Sequence, residues 1–138
     1  MLKPIGRPCP IPFERTSPIK TAFKEGVLPL KKGFFGGDLT PKNVSLDHML
    51  AKSKGGKSKL SNYVLTTAEN NNLKGDMDIF QFATKENTEQ YFKAFEGVKL
   101  GKHTGEQYLA MISRTLRELW AKSPITKDLE MWDILKRY

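Results

Sequence analysis

Seven of the eight prolines in this 138-residue chain lie within its first 41 positions: Pro4, Pro8, Pro10, Pro12, Pro18, Pro29 and Pro41. Proline fixes φ and lacks a backbone donor, so this stretch holds no long helix and no central strand. Residues 1–41 read as an extended N-terminal arm laid over a core made by the rest, with one short helical attempt near Ser17–Glu25. Within it, Phe34 and Phe35 between Gly33 and the Gly36-Gly37 pair read as a turn that anchors two aromatic side chains.

The remaining chain must supply the core, and its length suits one domain, residues 1–138. Hydrophobic residues at 38% and charged residues at 28% describe a soluble globular protein. No apolar run approaches a membrane span, and Met1–Pro12 has no apolar stretch of the kind that marks a secretory signal. The single cysteine, Cys9, excludes an internal disulfide and a paired-cysteine zinc site, which fits a cytoplasmic setting. No base neighbours Cys9, so it is not expected to act as a nucleophile. The net charge of +8 is uneven: residues 1–76 hold 13 Lys and Arg against 6 Asp and Glu, and residues 77–138 hold 10 against 9. A basic half beside a near-neutral half implies a polyanion-facing unit on a helical support.

From Val44 the pattern changes. Val44-Ser45-Leu46-Asp47 alternates like a short strand, a lysine-rich loop runs from Ala51 to Lys59, and Leu60–Leu65 reads as a second strand. Thr66 with Glu69 forms a capping box that starts a short helix, closed by Gly75. Residues 77–138 read as helical. Asn87 with Gln90 opens a helix carrying Tyr91, Phe92 and Phe95, and Thr104 with Gln107 opens another with apolar positions 108, 109, 112, 116, 119 and 120. Ser123-Pro124 ends that helix and starts one with Ile125, Leu129, Trp132 and Leu135 on one face. These stripes are core, Arg114 and Arg117 form a solvent face, and His103 in a glycine-flanked loop is not expected to be a ligand.

The chemistry-bearing residues cluster in the middle unit. Asp47-His48 ends the first strand, Asn62 lies on the second, and Asn71 and Lys74 are one turn apart on the helix. Folded together, they offer two oxygen donors, an imidazole and a cation around one point. Mg²⁺ prefers oxygen and takes only one or two protein ligands beside water and phosphate, a part that Asp47 and Asn71 suit. His48 can take a proton from water near neutral pH, Lys74 can stabilise charge on a phosphate, and Asn62 can pin the loop that orients His48. Asn70 and Asn72 flank Asn71, and a one-residue shift moves a ligand about 100° around the helix.

Residues 46–75, LDHMLAKSKGGKSKLSNYVLTTAENNNLKG, resemble the HNH nuclease motif, or ββα-metal fold, in the subtype whose signature reads His, Asn, Asn. The Asp-His pair, the Ser-x-Gly-Gly loop, Asn 14 residues after the histidine, Asn 9 further on and Lys 3 beyond are in register with the HNH domain of RNA-guided CRISPR effector nucleases. The resemblance implies an α+β fold: an HNH core (42–76) between the proline-rich arm (1–41) and C-terminal helices (77–138). It implies a metal-dependent DNA endonuclease using one Mg²⁺ or Mn²⁺, with His48 as general base, Asp47 and Asn71 on the metal, Asn62 ordering the catalytic loop and Lys74 at a common basic position. Two features depart from it: Ala51 stands where a proline is frequent, and the flanking cysteine pairs of many relatives are absent. Lys52, Lys54, Lys57 and Lys59 read as phosphate contacts. Phage and mobile-element nucleases are among such relatives, which suggests a bacterial or phage-infected cell. The alternative is a nucleic-acid-binding or partner-binding protein of HNH fold with little or no cleavage. DNA is the expected partner with RNA not excluded, and the oligomeric state is open.

Overall fold

Pro18 has the fixed φ of a first helical turn, and the first described element starts there: α1 (Pro18–Lys24), which buries Ile19 and Ala22. The computed structural model describes residues 18–124 and 129–138; Pro4, Pro8, Pro10, Pro12, Cys9, Ser17 and Ile125 lie outside them. After α1, β1 (Lys32–Gly33) and β2 (Gly36–Asp38) form an antiparallel ribbon around Phe34 and Phe35. The turn needs glycine, because Gly36 and Gly37 take φ of 89° and 81°. Phe34 is fully buried and meets Phe35 and Tyr91 edge-on, each at 5.2 Å between centroids. The expected aromatic anchor is therefore present.

β3 (Val44–His48) pairs antiparallel with β4 (Tyr63–Thr67), from Val44 opposite Thr67 to His48 opposite Tyr63. The second strand was expected at Leu60–Leu65 and lies three residues later at its start. Leu60–Asn62 is a 3-10 turn instead. The β-branched Thr66 and Thr67 extend the pairing to Ser45 and Val44, and Asn62 is drawn away by the loop backbone. The helix cap moves with it: Thr67 rather than Thr66 caps α2 (Ala68–Lys74), accepting from the Asn70 N–H at 3.1 Å. Gly75 closes α2 as expected, its N–H donating to Asn71 O at 3.1 Å.

A 3-10 turn at Ile79–Gln81, capped by Asp78, leads to α3 (Lys85–Phe95). Thr84 caps this helix, three residues before the expected Asn87 start. β5 (Lys99–Leu100) and β6 (His103–Thr104) form a third ribbon. Next come α4 (Gly105–Lys122), whose Thr104–Gln107 capping box makes both reciprocal bonds, and α5 (Leu129–Leu135). The described chain is thus a mixed α+β structure of several helices and small antiparallel sheets. No described helix is long and apolar enough to cross a membrane.

The core joins β4 to the helices. Val64 and Leu65 pack with Tyr91, Phe92 and Phe95 of α3, Tyr108, Leu109, Ile112 and Leu116 of α4, and Ile134 and Leu135 of α5. Two buried hydroxyls run through it. Tyr108 donates to Tyr63 O at 2.6 Å, so Tyr91 must donate to Tyr108, 2.9 Å away, while it accepts from the Leu65 N–H at 2.9 Å. Burial pushes both phenols above the ordinary tyrosine value. Arg114 is exposed, as expected, but Arg117 is not a solvent residue. Its guanidinium donates to Leu135 O at 2.7 Å and Tyr138 O at 3.2 Å, satisfying carbonyls at the end of α5.

Candidate functional site

Side chains alternate across β3, and Ser45 and Asp47 face α2. Asn71 donates from Nδ2 to Ser45 Oγ at 2.8 Å and to Leu46 O at 3.5 Å. One turn on, Lys74 donates to His48 O at 3.1 Å and stands 3.7 Å from Asp47 Oδ1. The neighbouring asparagines point elsewhere: Asn70 donates to Gly36 O at 3.2 Å, and Asn72 is exposed. Of the three, it is Asn71 that faces β3.

Lys74 is fully buried and Asp47 is 4% exposed. A substrate phosphate was expected opposite the Lys74 ammonium. Instead the ammonium lies inside, against a carboxylate and a main-chain carbonyl, where it ties the end of β3 to α2. Burial raises the Asp47 carboxyl to about 6 even with the lysine beside it. Only Oδ1 faces Lys74; Oδ2 is buried and has no hydrogen-bond partner among the described residues. A buried carboxylate oxygen without a partner is costly, so it marks a place for a missing donor or cation.

The donor set fits a hard divalent ion. With Nδ2 of Asn71 committed to Ser45, its amide oxygen takes no hydrogen bond among the described residues. It is an oxygen donor on the same strand–helix seam as Asp47 Oδ2. No three His, Cys, Asp or Glu side chains cluster among the described residues. An ion here would therefore rest on one carboxylate and one amide, with water and phosphate completing its shell.

His48 projects from the other face of β3, at its end. The half-buried ring lies against its cross-strand partner Tyr63, with centroids 4.8 Å apart and planes at 58°. Burial first, then the charges of Lys52 and Lys74, hold the imidazole below its ordinary 6.5. Both causes disfavour the charged imidazolium. The carboxylate and the imidazole thus flank the strand end from opposite faces rather than meeting at one point.

Comparison with protein-family models, curated proteins and solved structures returns no match.

Asn62, 5% exposed, holds the loop between the strands. Its Oδ1 accepts from the Leu50 N–H at 2.9 Å, and its Nδ2 donates to Leu50 O and Lys57 O, both at 3.0 Å. Its own N–H donates to Lys59 O, and its carbonyl accepts from the Met49 N–H, each at 2.8 Å. One side chain and one peptide unit thus tie down both limbs of the loop, the ordering role expected of it, from a 3-10 turn rather than a strand. Gly56 completes the closure: a Cβ there would lie 1.7 Å from Leu50 O.

The four loop lysines are all exposed, and three of them line two hollows that share Leu50, Leu119 and Lys122. Lys54 lines a hollow of about 250 Å³ with Asp76, Asp78 and Met49. Lys57 and Lys59 line a groove of about 270 Å³ with Thr115, Glu118 and Lys122 of α4. Lys52 is the loop lysine whose charge reaches His48. Two residues were missed from the sequence. Lys122 joins the groove from 63 positions beyond Lys59. Ser58 places Oγ 3.3 Å from His48 Nε2. Neither carries a local signal, since a serine between lysines in a loop looks like solvated surface. His103 sits exposed on β6.

Proposed function

We propose that this chain is a metal-dependent endonuclease that hydrolyses DNA phosphodiester bonds, with β3, β4 and α2 as an HNH, or ββα-metal, core. The observation that carries the reading is the buried, unpartnered Asp47 Oδ2 on the strand–helix seam that Asn71 also lines, next in the chain to a histidine at the strand end. A structural ion pair needs no second carboxylate oxygen left without a partner.

His48 takes a proton from a water molecule at a ring nitrogen, and the resulting hydroxide forms a bond to phosphorus. The bond to the 3′ oxygen breaks, that oxygen leaves with the electron pair, and solvent protonates it. Asp47 and Asn71 would hold one Mg²⁺ or Mn²⁺, which when bound supplies charge stabilisation at the pentavalent phosphorus and the departing oxygen. Lys74 keeps Asp47 and the His48 main chain in place, and Asn62 keeps the loop closed. Lys52, Lys57 and Lys59 neutralise neighbouring phosphates without reading bases.

The test is incubation of supercoiled plasmid with the protein and Mg²⁺ or Mn²⁺, beside a chelated control, single-stranded RNA and His48→Ala. DNA cleavage that needs the ion and falls by about 10²- to 10⁴-fold in His48→Ala supports the reading. Cleavage that survives the substitution removes His48 from the reaction. Retained DNA binding with no cleavage in any ion favours a nucleic-acid-binding protein, and cleavage confined to RNA changes the substrate.

A further inference from the structure

The His48 ring is held by contacts that differ in what they can specify. The Lys74 bond to His48 O, at 3.1 Å, fixes the main chain. The Tyr63 ring fixes the tilt of the imidazole plane. Neither distinguishes the two ring nitrogens. Among the described residues one polar group does so: the Ser58 hydroxyl, 3.3 Å from Nε2.

Ser58 is itself held in place, although its side chain is exposed. The peptide oxygens on both sides of it are fixed by Asn62, Lys57 O by the side-chain amide at 3.0 Å and Lys59 O by the main-chain N–H at 2.8 Å. Upstream, Gly55 takes φ of 95°, and Gly56 seats against the Leu50 carbonyl. The clamp that Asn62 exerts on the loop therefore ends at a hydroxyl resting on the histidine. Nε2 is the ring nitrogen farther from the main chain, and it faces the exposed loop at Ser58.

Resting on the nuclease reading for its consequence but not for its geometry, we propose that Ser58 is a positioning residue for His48: its O–H donates to Nε2, keeps the ring proton on Nδ1 and holds the Nε2 lone pair toward the open end of the hairpin. An attacking water then meets a lone pair already aimed, and Ser58 gives up the position to it. Ser58 touches no substrate and acts through the imidazole. It also gives Asn62 a physical route to the base, from amide through loop backbone to hydroxyl to ring.

The chain has two histidines, so nitrogen spectra of the full protein with labelled histidine resolve His48 against exposed His103 as an internal reference. Long-range proton–nitrogen correlation of the metal-free protein at pH 8 is expected to show Nδ1 protonated and Nε2 bare in His48. Ser58→Ala is expected to return His48 to the pattern of His103, and Ser58→Thr to restore the original. In plasmid cleavage, Ser58→Ala is expected to lower kcat by about 10- to 100-fold with KM unchanged, rescued by Ser58→Thr. A His48 pattern that matches His103 in the unsubstituted protein, or that ignores Ser58→Ala, overturns the proposal. The expected spectra with no cleavage by the unsubstituted protein leave Ser58 in its role and remove the nuclease reading instead. Because Ser58 is exposed, thermal unfolding of Ser58→Ala should match the parent, which separates this effect from misfolding.

Discussion

Two buried polar clusters cross the interior of this molecule, and they are built on opposite terms. The Tyr63–Tyr108–Tyr91–Leu65 relay is neutral, and both phenols have their donors and acceptors used. The Asp47–Lys74 pair is charged and incomplete, with Oδ2 left without a partner. The relay sits among Phe34, Phe95 and Leu109, where an unsatisfied group would only cost stability. The pair sits at the seam between β3 and α2, at the end of the strand that carries His48. Satisfied buried networks hold elements in register; an unpartnered carboxylate oxygen is a costlier exception than the unpartnered hydroxyls of Thr66, Thr88 and Ser113.

The largest expected effect comes from breaking the charged cluster from one side. Lys74→Met strands a buried carboxylate, and urea unfolding should show a loss of about 3–5 kcal/mol. Replacing both partners, as Asp47→Leu with Lys74→Met, should recover most of it, because two apolar groups of similar volume remove the uncompensated charge. A single-site loss that the double substitution does not relieve would mean the pair is not the cause.

A middle-sized effect should mark the incomplete cluster as a cation site. Mn²⁺ at about a hundredfold excess over its dissociation constant should stabilise the folded protein by about 2.7 kcal/mol, read as a rise in Tm. Asn71→Leu should abolish that rise. The same ion should leave Tyr108→Phe and the parent protein equally stabilised, since the relay offers it nothing.

The smallest effect belongs to the relay. Tyr108→Phe removes the hydroxyl that donates to Tyr63 O and leaves the Tyr91 O–H without an acceptor, and should cost about 1–3 kcal/mol, with plasmid cleavage unchanged. The pH dependence has a definite sign. Both phenols titrate higher in the folded state than in the unfolded one. Their contribution is therefore complete below about pH 10 and is lost as pH rises beyond it. Chemical unfolding compared at pH 9 and pH 11 should show a smaller alkaline loss in the Tyr91→Phe, Tyr108→Phe double variant than in the parent. An equal loss would assign the alkaline limit to other groups.

Several elements were legible because their signals are local. The Thr104–Gln107 capping box, the stripe through Tyr108, Ile112 and Leu116, the Gly75 cap and the Phe34 anchor all follow from residues within one or two turns of each other. The misplaced boundaries arose where a local choice was settled at a distance. Thr66 and Thr67 are equally good caps, and pairing of Thr67 with Val44 decided that the strand ran one residue longer. Asn71 was chosen over Asn70 and Asn72 by its spacing to Asn62 and Lys74, and the packing of β3 against α2 puts Asn71 on that face.

Spacing along the chain was enough to bring Asp47, His48, Asn62, Asn71 and Lys74 into one strand–loop–strand–helix unit, because hairpin and helix periodicities dictate which residues face each other within about thirty positions. Burial, charge pairing and contact across longer separations belong to the tertiary structure. It turned Lys74 inward, sent Arg117 to the end of α5, brought Lys122 to the hollows that the loop lysines line and set Ser58 against His48. The physical reason is that desolvation and hydrogen bonding depend on what closes over a side chain, and that comes from segments whose position no local pattern records.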